Sequence, residues 1–241
     1  MKPSLDGRDR IVLECLRDSS TPMGSWSLVE RLEEKGESVS SASIGRILYR
    51  LEQLGYVEGQ GNRGRVVTKA GLKAIAKAKA YDTMDAHRRD LEKLISSKVL
   101  EDFVMVLQAR KAIERETARL AAENMTEARK KALTAIVEDQ ESRAARGESI
   151  AEVDIAFHRE IAAASHNSAL LSLYGILAMM GQQSELFEFV RSRVGSPYRK
   201  AHRDVLEALC SHDPDEAARC MEKHMDALIE DVTKYWGQVR D

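Results

Sequence analysis

Asp154, His158, His202 and His224 are the residues of this 241-residue chain whose types and spacing could together hold a metal ion. Asp154 and His158 are four apart in a stretch of helical character, so they share one face. The apolar stripe of that stretch reads Ile150, Val153, Phe157, Ile161, and both polar residues border it. His202 falls in the stripe Tyr198, His202, Val205, Leu209, and His224 in the stripe Ala217, Met221, His224, Leu228. Between them His212-Asp213-Pro214-Asp215 breaks the helix. Counting outward from that break, both histidines lie about 15 Å from the turn of an antiparallel hairpin. They should face each other at one height.

A single inward histidine is ordinarily a hydrogen-bonded core residue. Four polar groups at matched heights are different, because each would be costly to bury without a partner. One cation would satisfy all of them. Imidazole and carboxylate ligands suit zinc, nickel, cobalt, manganese or iron, and the lack of thiolates in the set argues against a closed structural zinc site. His87 reads as solvated, His166 as the end of a helix, and His212 as part of an exposed turn. The Met179-Met180 and Met221/Met225 pairs read as core filling.

Positioning such a set requires long, uninterrupted helices. Four prolines in the chain and 5% aromatic residues fit a mainly α protein. Helices are expected over residues 100–123, 126–145, 150–165, 168–192, 198–211 and 214–238. Turns fall at Asn124, Gly147, His166-Asn167, Gly195-Ser196-Pro197 and Asp213-Pro214. Asp213 and Glu216 form a capping box, with Pro214 at the first helical position. The bundle they build is placed at residues 99–241.

Cys15, Cys210 and Cys220 form no close-spaced motif, which fits thiols in a reducing cytoplasm. No charged-then-apolar leader opens the chain. The longest uncharged apolar stretch, Ala169 to Met180, is too short to span a bilayer. A cytoplasmic protein is expected. The net charge of −2 conceals an asymmetry: residues 1–80 hold 14 Lys and Arg against 10 Asp and Glu, whereas residues 81–241 hold 23 against 29. Within 38–80 there are 8 basic and 2 acidic residues, the pattern of a nucleic-acid contact surface.

That basic segment has its own architecture. Helices are expected over 8–18 and 27–35, and a third begins after Ser40, a good N-cap, with Ile44, Ile47, Leu48, Leu51 and Leu54 on its apolar face before Gly55. Two β-like runs, 56–59 and 65–68, then flank a glycine-rich basic tip, and Lys69 starts another helix. Three helices followed by such a hairpin make a winged helix-turn-helix over residues 1–80, joined to the bundle by a polar helical connector over 81–98. The third helix of this motif enters the major groove and the wing touches backbone or minor groove. Ser41, Ser43, Arg46 and Arg50 are the candidate DNA contacts on the helix, with Arg63 and Arg65 on the wing. The rival reading is a winged helix that binds protein.

As an ordered set, several motifs resemble the FadR subfamily of GntR-type bacterial transcriptional regulators and their all-helical FCD effector domain. They are Arg110-x3-Glu114-x2-Thr117-Ala118-Arg119-Leu120, Asp154-x3-Phe157-His158 with Ser165-His166-Asn167 downstream, Ala201-His202-Arg203-x2-Leu206-Glu207, and Ala217-Ala218-x5-His224. The resemblance covers residues 98 to 238. It implies a divalent metal held by Asp154, His158, His202 and His224, a small carboxylate effector beside it, and a homodimer on a palindromic operator in double-stranded DNA. The N-terminal segment follows the GntR outline only loosely, and Thr68-x2-Gly71 is similar to other winged-helix regulators.

Arg110 lies on the inward stripe Phe103, Leu107, Arg110, Glu114 and is the candidate for pairing bidentately with an effector carboxylate. Its alternative is an internal salt bridge with Glu114. Effector binding would bias the bundle between arrangements that set the spacing of two DNA-binding heads, and the resemblance implies a repressor. Two rivals remain. One is a regulator whose metal is purely structural. The other is a metal-dependent hydrolase, which lacks a spare inward carboxylate to act as general base.

Overall fold

The computed structural model describes residues 5–97, 99–178 and 198–240. Three expected features fall outside them: the helix beyond residue 178, the turn at 195–197 and the Met179-Met180 pair. The side chains of 198–200 and 236–240 are likewise not described, Tyr198 of the predicted stripe among them.

Helices α1 (Gly7–Arg17), α2 (Ser25–Glu33) and α3 (Ser41–Gln53) lead into a hairpin of β1 (Val57–Gly59) and β2 (Arg65–Val67), followed by α4 (Lys69–Ser96). Local chemistry sets the boundaries. Asp6 caps α1 by accepting from the Asp9 amide, and Ser40 caps α3 by accepting from the Ser43 amide. Gly55, at φ +69°, turns the chain out of α3 into β1. The hairpin is antiparallel, pairing Val57 with Val67 and Gly59 with Arg65, and a short 3-10 turn (Gly61–Arg63) forms its tip. Sequence periodicity gave no sign of a further isolated bridge, Met23 to Arg65, that ties the loop before α2 to the wing. Gly64 makes that approach possible, since a Cβ there would stand 2.4 Å from the Met23 carbonyl carbon.

These elements enclose one core, with Val12, Leu13, Leu28, Leu32, Ile44, Leu48, Leu51 and Val57 at its centre. The architecture is that of a winged helix. The chain divides into two compact units, Met1–Leu91 and Glu92–Asp241. The polar connector expected over 81–98 is for most of its length the continuation of α4, unbroken from Lys69.

The second unit is helical: α5 (Leu100–Glu123), α6 (Glu127–Ala145), α7 (Ala151–Ala164), α8 (Ser168–Ala178), α9 (Tyr198–Cys210) and α10 (Pro214–Arg240). Asp213 caps α10 by accepting from the Glu216 amide at 2.9 Å, with Pro214 first in the helix. His166 and His212 end helices in left-handed backbone, and His212 Nδ1 donates to the Ala122 carbonyl. The core is built from one stripe per helix: Phe103 and Leu107, Leu133 and Val137, Phe157 and Ile161, Val205 and Leu209, Met221 and Leu228. α10 packs along α5 and against α9, α6 packs on α7, and α7 on α5. Inside that packing lie the histidines.

Candidate functional site

Three imidazoles meet in the middle of the helical unit. α7 contributes His158, α9 His202 and α10 His224, all buried, and their ligand nitrogens lie within 4.8 Å of one another. The hairpin through Pro214 brings His202 and His224 level, with their Nε2 atoms 3.3 Å apart. One turn before His158 on α7, the Asp154 carboxylate stands 3.4 Å from His202 Nε2. Phe157 packs on the His202 ring at a centroid distance of 4.5 Å and walls that side of the cluster.

Residues from two further helices orient the rings. Gln140 of α6 places its Oε1 2.7 Å from His202 Nδ1. With a carbonyl oxygen as partner, Nδ1 carries the proton and donates it, so Nε2 presents a lone pair toward His224 and Asp154. A lone pair and a carboxylate oxygen at 3.4 Å repel unless a proton or a metal ion lies between them. On α5, Glu114 sets Oε2 2.6 Å from His158 Nδ1. The carboxylate thus faces Nδ1 of the ring. It leaves Nε2 as the His158 nitrogen available to a ligand. Carboxylate and amide partners behind the imidazoles are how metal-binding histidines are usually held, and this donor set fits a divalent cation.

Arg110 pairs within its own helix. Its Nε donates to Glu114 Oε1 at 2.7 Å, and both side chains are almost wholly buried. The internal salt bridge is therefore the arrangement realised, because a guanidinium four residues before a buried carboxylate on one helix has nowhere better to put its charge. Burial alone would raise the Glu114 carboxyl, but Arg110 and His158 overcome it and hold it down to about 2. Arg110, Glu114 and His158 form one chain leading to the cluster.

In the winged helix the predicted DNA contacts divide. Arg50 is committed within the fold: its Nε donates to Asp9 at 2.8 Å and Nη2 reaches both Asp9 and Asp6. Asp9 is buried on α1 and needs that counter-charge. Arg65 donates through Nε and Nη2 to Glu52 at 3.1 and 2.9 Å, fastening the wing to α3. Ser43 takes up Ser40 and Arg46 with its hydroxyl, and Ser41 is half-buried at the start of α3. Arg46 and Arg63 touch only Ser43 and Gln60 and pair with no carboxylate among the described residues.

Residues 105–227 match the FCD domain family, slightly more than half of the chain. The chain belongs to the FCD-domain family. Arg110, Glu114, Gln140 and all four candidate ligands fall inside the FCD match. Residues 10–75 match a second family, the Ribonuclease R winged-helix domain. The Exu regulon transcriptional regulator of Escherichia coli K12 is 34% identical over 130 residues, covering 50% of this chain and 48% of that protein. The chain thus spans about half the length of that curated relative. The HTH-type transcriptional regulator LutR of Bacillus subtilis is 26% identical over 199 residues, covering 80% of this chain and 84% of LutR. Both are regulators of transcription rather than enzymes. Among solved structures, Streptococcus agalactiae GntR covers 92% of the chain at 18% identity and a TM-score of 0.46, and spans 99% of its own length. Escherichia coli McbR/YncC covers 96% at 15% identity and a TM-score of 0.49, with 94% of its own length matched.

Sequence reasoning missed two of the residues that orient this FCD cluster. Gln140 was legible in principle, since it falls in the α6 stripe Leu133, Val137, Gln140, where an amide is out of place unless it has a buried partner. Glu114 was noticed only as a partner for Arg110, and nothing in its spacing points to His158 on α7.

Proposed function

We propose that this FCD protein is a GntR-type transcriptional regulator of the FadR subfamily that binds a palindromic operator as a homodimer. Its FCD domain holds a divalent cation through Asp154, His158, His202 and His224 and responds to a small carboxylate. The observation that carries this reading is the buried histidine cluster with its carboxylate edge and oriented imidazoles, in a chain whose other unit is a basic winged helix. Similarity to regulators such as LutR supports it further.

A bound cation of the zinc, nickel or manganese kind supplies a Lewis-acidic centre that attracts a carboxylate oxygen. The protein's own groups do the rest. Gln140 and Glu114 fix two rings, Arg110 holds Glu114, and Phe157 keeps water off His202. Because the cluster joins α7, α9 and α10, an acid bound there selects one arrangement of these helices over another, and that preference is what operator binding would read. A dimer of such heads prefers half-sites about one helical turn apart. Repression relieved by the acid is the expected sense.

The test is metal content together with thermal stability. Protein purified without chelator should retain about one divalent ion per chain, and His202→Ala or His224→Ala should lose it. Adding the metal and candidate hydroxy or keto acids together should raise the melting temperature beyond the metal alone. A rise from metal alone, unaffected by any acid, favours the purely structural site. Retention of stoichiometric metal by either variant overturns the ligand assignment.

A further inference from the structure

We infer that α3 reads DNA through Arg46 and Tyr49, with Trp26 of α2 gripping the flanking backbone, and that Arg50 takes no part in reading. This rests on the DNA-binding reading above and says which side chains carry it.

α3 buries Ile44, Ile47, Leu48 and Leu51. The opposite row, at spacings of four, three and four, is Ala42, Arg46, Tyr49 and Gln53, and every member is exposed. Tyr49 is 63% exposed, and Trp26, at 76%, is the most exposed large apolar side chain among the described residues. Neither is part of the winged-helix core, so their apolar surface stays in water at a cost that only a partner would recover. They flank one contact. The first turn of α2 meets α3 where a Cβ on Gly45 would stand 3.9 Å from Ser25 Oγ. Trp26 is the residue after Ser25, and Tyr49 is one turn beyond Gly45.

Charge identifies the partner as a polyanion. Residues 38–80 hold 8 basic and 2 acidic side chains, and one of those acids, Glu52, is taken by Arg65. Arg46, which pairs with no carboxylate among the described residues, remains on the exposed α3 row that carries Tyr49. Arg50, by contrast, would have to leave a buried carboxylate to reach a base. On duplex DNA the roles follow from chemistry. Arg46 suits guanine O6 and N7. The Tyr49 ring packs on a thymine methyl, and its hydroxyl reaches a base edge. The Trp26 ring lies on a sugar with its indole N–H toward a phosphate, which positions without reading.

The experiment selects sites from a randomised duplex pool with the full-length protein, then measures affinity for the enriched duplex and an unrelated one across salt concentrations. Tyr49→Ala should lose about tenfold or more on the enriched site and lose preference at one position per half-site, with its salt dependence unchanged. Trp26→Ala should weaken both duplexes alike. Arg50→Gln, its folding checked by melting temperature, should keep the base preference. The inference is overturned if Tyr49→Ala keeps every base preference, if folded Arg50→Gln relaxes one, or if Trp26→Ala alters sequence preference. Wild-type protein that enriches no site and binds no duplex overturns the DNA-binding reading itself, a result distinct from failure confined to these side chains.

Discussion

At the scale of single residues, the groups behind the histidines matter as much as the histidines. Gln140 fixes which nitrogen of His202 carries the proton, and Glu114 holds His158 from behind. Replacing Gln140 by Ala, or Glu114 by Gln, is expected to weaken metal binding by about 10- to 100-fold while leaving all four ligands in place. Competition against a chromophoric chelator measures this directly, and affinity unchanged in both variants would remove their orienting role. Cys220 offers a second check. Burial and the bond to Glu216 push its thiol up to about 11, so it stays protonated at neutral pH. Alkylation of the native protein at pH 7 should therefore be slow at Cys220 and should quicken on unfolding, as mass spectrometry would record. That His158, His202 and His224 converge was readable in the chain because helix period and a proline turn convert directly into height and face. Their supports were not, since Glu114 and Gln140 reach the cluster from helices whose packing no spacing encodes.

Among the elements, those with local signals were the easiest to read. Ser40, Gly55, Asp213 and Pro214 each mark a boundary by satisfying or refusing a backbone hydrogen bond, and each stands where that chemistry requires. Arg50 has its partner, Asp9, 41 residues away on α1. An arginine on the polar side of a recognition helix looks free until tertiary packing supplies a carboxylate. Arg50→Ala should accordingly cost about 2 kcal/mol of stability by leaving Asp9 buried without its counter-charge, measurable by urea unfolding of the winged helix. Gly71 is still less tolerant, because a Cβ there would lie 2.2 Å from the Tyr56 carbonyl oxygen. Gly71→Ala should lose about 3 kcal/mol as the start of α4 is forced off the wing, and a melting point within 1–2 °C of wild type (roughly what a few tenths of a kcal/mol would produce) would contradict the close approach.

For the whole molecule, two separate cores imply two separable responses. Excess divalent metal at about 100 times its dissociation constant should stabilise the helical unit by about 2.7 kcal/mol and leave the winged helix where it was. Calorimetry with and without chelator should therefore shift one transition and spare the other. α4 sets a practical rule for anyone who exchanges DNA-binding heads between such regulators. It runs as one helix from Lys69 through Ser96, and Asp82, well along it, is the counter-ion of Arg10 on α1. A graft cut at residue 80 severs a helix in mid-course and leaves Arg10 with Glu14 as its counter-ion. The division between the two compact units, at Leu91 and Glu92, itself falls inside that helix.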